Sequence, residues 1–225
     1  MHKGNRTMNY KLTKSLTAAA LLLPGLAAAA TTGNAGLFTV VETFEGFDGL
    51  VTQGPVALGG GATVTSSIDS TIGAFAVDLG DNGVWGAGDN FAGIGDLSPF
   101  PQSFNYDGSM TFSWTTGLTG AGANFSIYQA PAGSAEILLE ALAIDGGVLE
   151  STTLLVSYGD PLLYNVGEFL GFLRASNDLY GLRISGDGFV VDDLAVIPVP
   201  AALPLFAGGL ALLGAVRRRR TTLEV

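Results

Sequence analysis

The chain has 225 residues, 48% of them hydrophobic, with 33 glycines, no cysteine and a formal charge of −10 from 20 acidic and 10 basic residues. Without cysteine there are no disulfides, thiolate nucleophiles or cysteine-ligated zinc. Eight of the ten basic residues sit at the two ends, leaving Arg174 and Arg183 against 19 acids in between, a charge of −17 that repels phosphate backbones and excludes nucleic acid as a partner.

The N-terminus opens with Lys3, Arg6, Lys11 and Lys14, continues with an apolar stretch over residues 16–26 and reaches the small side chains Ala28-Ala29-Ala30. A basic start, a short apolar segment and a small-residue site are the parts of a secretory signal peptide, which places residues 1–30 in a cleaved leader and the rest outside the cytoplasm. Met8 opens a second complete version of the same signal. The only histidine, His2, falls inside this leader, and no lysine lies between residues 14 and 225. The mature chain therefore has no imidazole for a Ser-His-Asp triad or a metal, and no lysine for Schiff-base chemistry. Carboxylate chemistry survives, in the form of a glycosidase-like pair of acids or a calcium-dependent lyase.

Residues 31–195 read as one all-β domain. Segments 37–44, 73–79, 110–115, 124–128, 152–158, 180–185 and 188–196 have strand composition, several with period-two alternation. Turn signals separate them at Asp81-Asn82-Gly83, Asp107-Gly108, Asp145-Gly146-Gly147 and Ser185-Gly186-Asp187-Gly188. Segments 135–143 and 167–174 are compatible with helix or strand. About eight strands in a domain of this length predict a jelly-roll-like β-sandwich. The glycine-rich run 80–95 reads as a long surface loop. Its Asp81 and Asp89, with Asp78 and Asp96 on either side, lack the spacing of an EF-hand and read as turn residues. Trp114, beside Phe112 in an alternating strand, is expected in the core, and Trp85 in the loop is the expected surface ring for stacking on a sugar.

The two ends of this domain carry Thr43-Phe44-Glu45-Gly46-Phe47-Asp48 and Gly188-Phe189-Val190-Val191-Asp192-Asp193-Leu194. This pairing resembles the first and last strands of jelly-roll modules such as carbohydrate-binding and MAM-type domains. The resemblance implies that the two strands lie side by side and share a structural Ca2+ ion, with Glu45, Asp48, Asp192 and Asp193 as candidate ligands. The plainer reading is that Asp192 and Asp193 cap an exposed strand end.

The C-terminus runs Val196-Ile197-Pro198-Val199-Pro200-Ala201-Ala202-Leu203-Pro204, stays uncharged to Val216, and stops at Arg217, Arg218, Arg219 and Arg220. The prolines confine regular helix to 201–216, about 24 Å at 1.5 Å per residue, which is short for a permanent span. The arginines mark the cytoplasmic side of the membrane. A proline-containing motif, a short apolar helix and an arginine cluster resemble the PEP-CTERM sorting signal, here nearest its VPLPA variant, with Val196, Pro198, Val199, Pro200 and Ala201 carrying the match. The resemblance implies an exosortase-type processing enzyme as partner, transient residence in the inner membrane, cleavage near residues 198–201 and release to the cell surface or an exopolysaccharide-rich biofilm matrix. Residues 196–220 are then the signal and 221–225 a cytoplasmic tail. The expected function is that of a non-catalytic adhesive or carbohydrate-binding protein. The alternatives are a carboxylate-dependent polysaccharide hydrolase or lyase, and a purely structural matrix protein.

Overall fold

The structure is a computed structural model that describes residues 29–75, 89–97, 106–127, 134–157 and 167–197. Most of the expected signal peptide, Trp85, the sorting motif from Pro198 through Val199, Pro200 and Ala201, the expected C-terminal helix and Arg217–Arg220 lie outside the described residues.

The described residues form strands β1 (Ala30–Thr32), β2 (Thr39–Glu42), β3 (Leu50–Thr52), β4 (Val56–Ala57), β5 (Ala62–Ser66), β6 (Ser70–Phe75), β7 (Asn90–Gly93), β8 (Asp107–Leu118), β9 (Gly120–Ile127), β10 (Ser134–Leu142), β11 (Val148–Ser157), β12 (Glu168–Leu173), β13 (Leu179–Asp187) and β14 (Phe189–Val196). Two antiparallel sheets result. One has eight strands in the order β1-β12-β9-β14-β7-β6-β3, with β2 also paired to β14, and the other has six in the order β11-β10-β13-β8-β5-β4. The only helical turns among the described residues are short 3-10 segments at Ala35–Leu37 and Gly59–Gly61. The expected all-β sandwich is therefore observed, with more strands than the composition suggested and several of them longer than the segments read from sequence.

Alternation explains why these segments are strands. In β8 the buried Met110, Phe112 and Trp114 interleave with the more exposed Thr111, Ser113 and Thr115. In β10 Ile137, Leu139 and Ala141 are buried while Leu138 and Glu140 face outward, which settles segment 135–143 as strand; segment 167–174 becomes β12. The inner faces of both sheets meet in one core, where Phe44 packs on Phe112 with ring centroids 6.4 Å apart and Trp114 is buried as expected. Phe91, Phe125, Phe172 and Phe189 complete the aromatic part of that core. Each such ring contributes about 1.5–3 kcal/mol by leaving water.

Two turn expectations need correction. Asp107-Gly108 is the start of β8, paired with Asp187 and Gly186, because a sheet partner extends beyond the segment that alternation marks. Ser185-Gly186-Asp187 likewise remains strand, and the separator shrinks to Gly188, at φ 60°, where the chain leaves β13 in one sheet and enters β14 in the other. Asp145-Gly146-Gly147 is the expected hairpin turn, closed by the Ala143 N–H on the Gly147 carbonyl at 2.8 Å, with Gly146 at φ 80°.

Candidate functional site

Strand β14 lies in the middle of the larger sheet and changes its neighbour partway along. Val190 and Val191 pair with β7, whereas Leu194 to Val196 pair with β2. On the other side β9 follows β14 throughout, with a register shift between Asp192 and Ala195. The irregularity falls on Asp193, which adopts φ 49°, and the Asp193 N–H donates to Asp192 Oδ1 at 2.6 Å. A bulge at such a junction re-aims side chains. Here it gathers acids.

Glu45 reaches the junction from the loop after β2 and Asp89 from the residue before β7. The Asn90 N–H donates to Glu45 Oε1 at 2.8 Å, and the Asn90 side chain donates to the Phe47 carbonyl at 2.9 Å, tying the two segments together. Gly73 makes room for this loop: at φ 78°, a Cβ there would lie 2.5 Å from Phe47. Asn124 on β9 donates to Asp193 Oδ2 at 2.8 Å.

The electrostatics of the cluster are those of like charges held together. Asp192 is 4% exposed, and burial, reinforced by Asp193, Asp89 and Glu45, pushes its carboxyl up to about 7 despite the opposing Asp193 N–H. Burial, then Glu45 and Asp193, also raises the Asp89 carboxyl, which shares a hydrogen bond with Glu45. Neither arginine of the domain compensates these charges. Arg174 grips Asp178 through two bonds of 3.0 Å and reaches Glu150 at 3.3 Å, and Arg183 donates to Glu140 at 2.6 Å.

The structure thus brings together three of the four predicted calcium ligands, Glu45, Asp192 and Asp193. Asp48 is exposed and is not among the groups acting on Asp192 or Asp89. Asp89, read from sequence as a turn residue, joins instead. Nothing local marks Asp89, because its role follows from β7 lying against β14. Carboxylates and amide carbonyls are the hard oxygen donors that calcium takes. As placed, however, no three His, Cys, Asp or Glu side chains among the described residues form a metal-binding group, so binding requires the carboxylates to turn inward together.

A second site occupies the outer face of the six-stranded sheet. Directly opposed residues of antiparallel strands share a face, so the register aligns Leu142, Gly181, Ser113 and Thr63 in one outward row and Glu140, Arg183, Thr111 and Thr65 in the next. Pairing jumps from Leu179 opposite Leu118 to Gly181 opposite Ser113, which sets Trp114 to Gly117 against the single residue Tyr180. Beside this irregularity is a groove of about 400 Å³ lined by Thr111, Ser113, Thr115, Tyr180, Leu142 and the 75%-exposed Ile144. Trp114 also borders it, and its buried indole Nε1 has no acceptor among the described residues. Sequence patterning showed that β8 alternates but not that its polar face would be hollowed.

The third predicted site begins inside the fold. Val196 is buried at the end of β14, opposite Thr39 and Ala121, and the Ile197 N–H bonds the Gly120 carbonyl at 2.9 Å. Any cut after Ile197 leaves these contacts intact, whereas a cut before Val196 removes part of the core.

No protein-family model and no curated protein sequence matches the chain. Among solved structures it is similar to an endo-1,4-beta-D-xylanase 10B from Clostridium thermocellum, determined as carbohydrate-binding and GH10 modules complexed with xylohexaose, with TM-score 0.36, 13% identity, and coverage of 72% of this chain and 28% of that one. It is also similar to the enzymatically active domain of a tailspike protein of bacteriophage CBA120, with TM-score 0.23, 10% identity, and coverage of 74% and 18%. A third likeness is to the carbohydrate-binding module CtCBM11, with TM-score 0.20, 15% identity, and coverage of 72% and 95%. The alignments thus span less than a third of the xylanase and tailspike chains.

Because the folded-state pKa of Asp192 lies above its unfolded value, native protein holds a proton that the unfolded chain releases between about pH 4 and pH 7. Stability in chelator should therefore fall as pH rises through that window and level off above it. Asp192→Asn, which keeps an acceptor for the Asp193 N–H, should flatten the slope and stabilise the protein at pH 8 by on the order of 1–3 kcal/mol. Urea titrations from pH 4 to pH 8 measure both, and identical profiles for the two proteins would contradict the assignment.

Proposed function

We propose that the chain is an exported cell-envelope protein whose β-sandwich, of jelly-roll type, binds carbohydrate without cleaving it, and whose C-terminal segment is a PEP-CTERM-type sorting signal processed by an exosortase-type enzyme. The observation that carries the binding reading is the groove on the outer face of the six-stranded sheet. Hydroxyls from Thr111, Ser113 and Thr115 can each donate and accept, as sugar hydroxyls do. Beside them the Tyr180 ring and the apolar Leu142 and Ile144 suit the C–H face of a pyranose.

The non-catalytic part of the reading is supported by the charges near this groove. Glycoside hydrolysis uses two carboxyl groups flanking the scissile bond. The carboxylates nearest the groove are Glu140, which is clamped by Arg183, and Asp145, which sits in the turn between the lining residues Ile144 and Gly146 and accepts the Gly147 N–H at 3.0 Å. A hydrolase or lyase would instead have to use Glu45, Asp89, Asp192 and Asp193, where raised pKa values suit a general acid. Release of new reducing ends from polysaccharide, abolished by Asp192→Asn, would favour that rival.

The same acidic junction is proposed as a structural calcium site. Its support is four carboxyl groups, one of them buried, with no arginine to balance them. Calcium would stabilise the ionised form of Asp192 and tie β2, β7 and β14 together. Added Ca2+ should raise the melting temperature relative to chelator, more at pH 8 than at pH 5, since protons and calcium compete for the same oxygens. At a hundredfold excess over Kd the gain is about 2.7 kcal/mol. Equal melting in calcium and chelator at pH 8 would remove the site.

Mass spectrometry of the mature protein should find a C-terminus near residues 198–201 and no Arg217–Arg220. An intact arginine cluster would reduce the segment to an ordinary membrane anchor. For the binding reading, the purified domain should be retarded on native gels cast with polysaccharide, and Ser113→Trp, which fills the groove from an exposed position, should abolish retardation without lowering the melting temperature. Retardation undiminished by Ser113→Trp would place binding elsewhere.

A further inference from the structure

The groove carries its own information about charge. None of its lining residues is ionised, and in the adjacent outward row the one cation, Arg183, already faces Glu140. That bond uses only Nε of the guanidinium and Oε2 of the carboxylate. Among the described residues the remaining guanidinium nitrogens and Glu140 Oε1 have no other hydrogen bond. The pair therefore presents donors and an acceptor side by side while carrying no net charge, which matches two neighbouring sugar hydroxyls better than an acid group. Arg183 and Glu140 are both partly accessible, so the pair can meet a ligand without unfolding.

Long-range electrostatics act in the same direction. The domain's 19 acids against two arginines repel polyanions before contact, and both arginines are engaged in ion pairs. A uronate or sulfate entering the groove would lose water and meet no free cation.

We propose that the groove at Tyr180 selects neutral polysaccharide, with the Tyr180 ring as the stacking platform and the Arg183–Glu140 pair as the reader of a vicinal diol, and that Glu140 is the residue that excludes acidic glycans. This inference rests on the carbohydrate reading above. Gly117 lies under this ring: a Cβ there would collide with the Asn177 carbonyl and lie 3.0 Å from Tyr180 Cζ, so glycine lets the backbone of 177 and the ring approach closely. Stacking of this kind and the removal of a vicinal-diol reader each correspond to about a tenfold change in affinity.

Affinity gels containing neutral polymers (glucan, mannan, xylan) and acidic ones (polygalacturonate, alginate) test the proposal, using wild-type domain, Tyr180→Ala and Glu140→Gln. Wild type should bind at least one neutral polymer about tenfold more tightly than either acidic one, and Tyr180→Ala should lose about tenfold. Glu140→Gln leaves Arg183 uncompensated and should gain affinity for the acidic polymers as salt is lowered. Tighter binding of wild type to the acidic polymers would overturn the neutral selectivity while leaving carbohydrate binding standing. Neutral selectivity unchanged in both variants would move the site away from Tyr180. No retention on any polymer would overturn the carbohydrate reading and this inference together. Circular dichroism on both variants separates lost binding from lost fold.

Discussion

Strand β14 imposes a constraint that the rest of the larger sheet answers. It enters from the other sheet through the single residue Gly188, and on one side it is paired first by β7 and then by β2. Where β7 gives way to β2 the register also shifts against β9, the backbone bulges at Asp193, and Asp192 is left buried beside the junction. The acids of Glu45 and Asp89 arrive there because they flank the two strands that meet. The acidic junction is thus a product of topology. The same strand holds Val196 in the core and ends next to Ile197, the last described residue of this segment, whose N–H still bonds the Gly120 carbonyl.

The distribution of positive charge explains the contrast between the two candidate sites. With two guanidinium groups in the domain, each carboxylate cluster is either balanced or left to repel itself. Arg174 holds Asp178 below the usual carboxylate range through their paired hydrogen bonds and also engages Glu150, near one edge of the six-stranded sheet. Arg183 neutralises Glu140 on the outer face. The junction at Asp192 receives neither. Burial and the neighbouring acids therefore push the Asp192 carboxyl up to about 7. The groove, by contrast, has no ionised lining residue and sets Thr111, Ser113 and Thr115 among largely apolar surface.

Period-two alternation made β8 and β13 readable because one face of each is buried and the other more exposed. It failed for β10, where outward Leu138 and inward Leu139 give an apolar run that fits a helix equally well. The pairing of β10 between β11 and β13 decides the matter. The short strands β1, β3, β4 and β7 have too few residues for any period to show, and they exist only because longer neighbours supply hydrogen-bond partners. Of the calcium candidates, Glu45, Asp192 and Asp193 were legible as acids at the two ends of the domain. Asp48 was not separable from them in sequence, and Asp89 looked like loop.

By itself the sequence determined the β-rich class, the absence of imidazole, thiol and lysine chemistry from residues 31–195, and the small number of positive charges there, because these depend on composition and local period alone. Which acids share a seam, which residues hollow the outer face beside Tyr180, and which carboxylate each arginine neutralises were decided only by tertiary structure. The physical reason is that strand neighbours in this sandwich come from distant parts of the chain, as β14 beside β2 and β13 beside β8, so residues that act together carry no common local pattern.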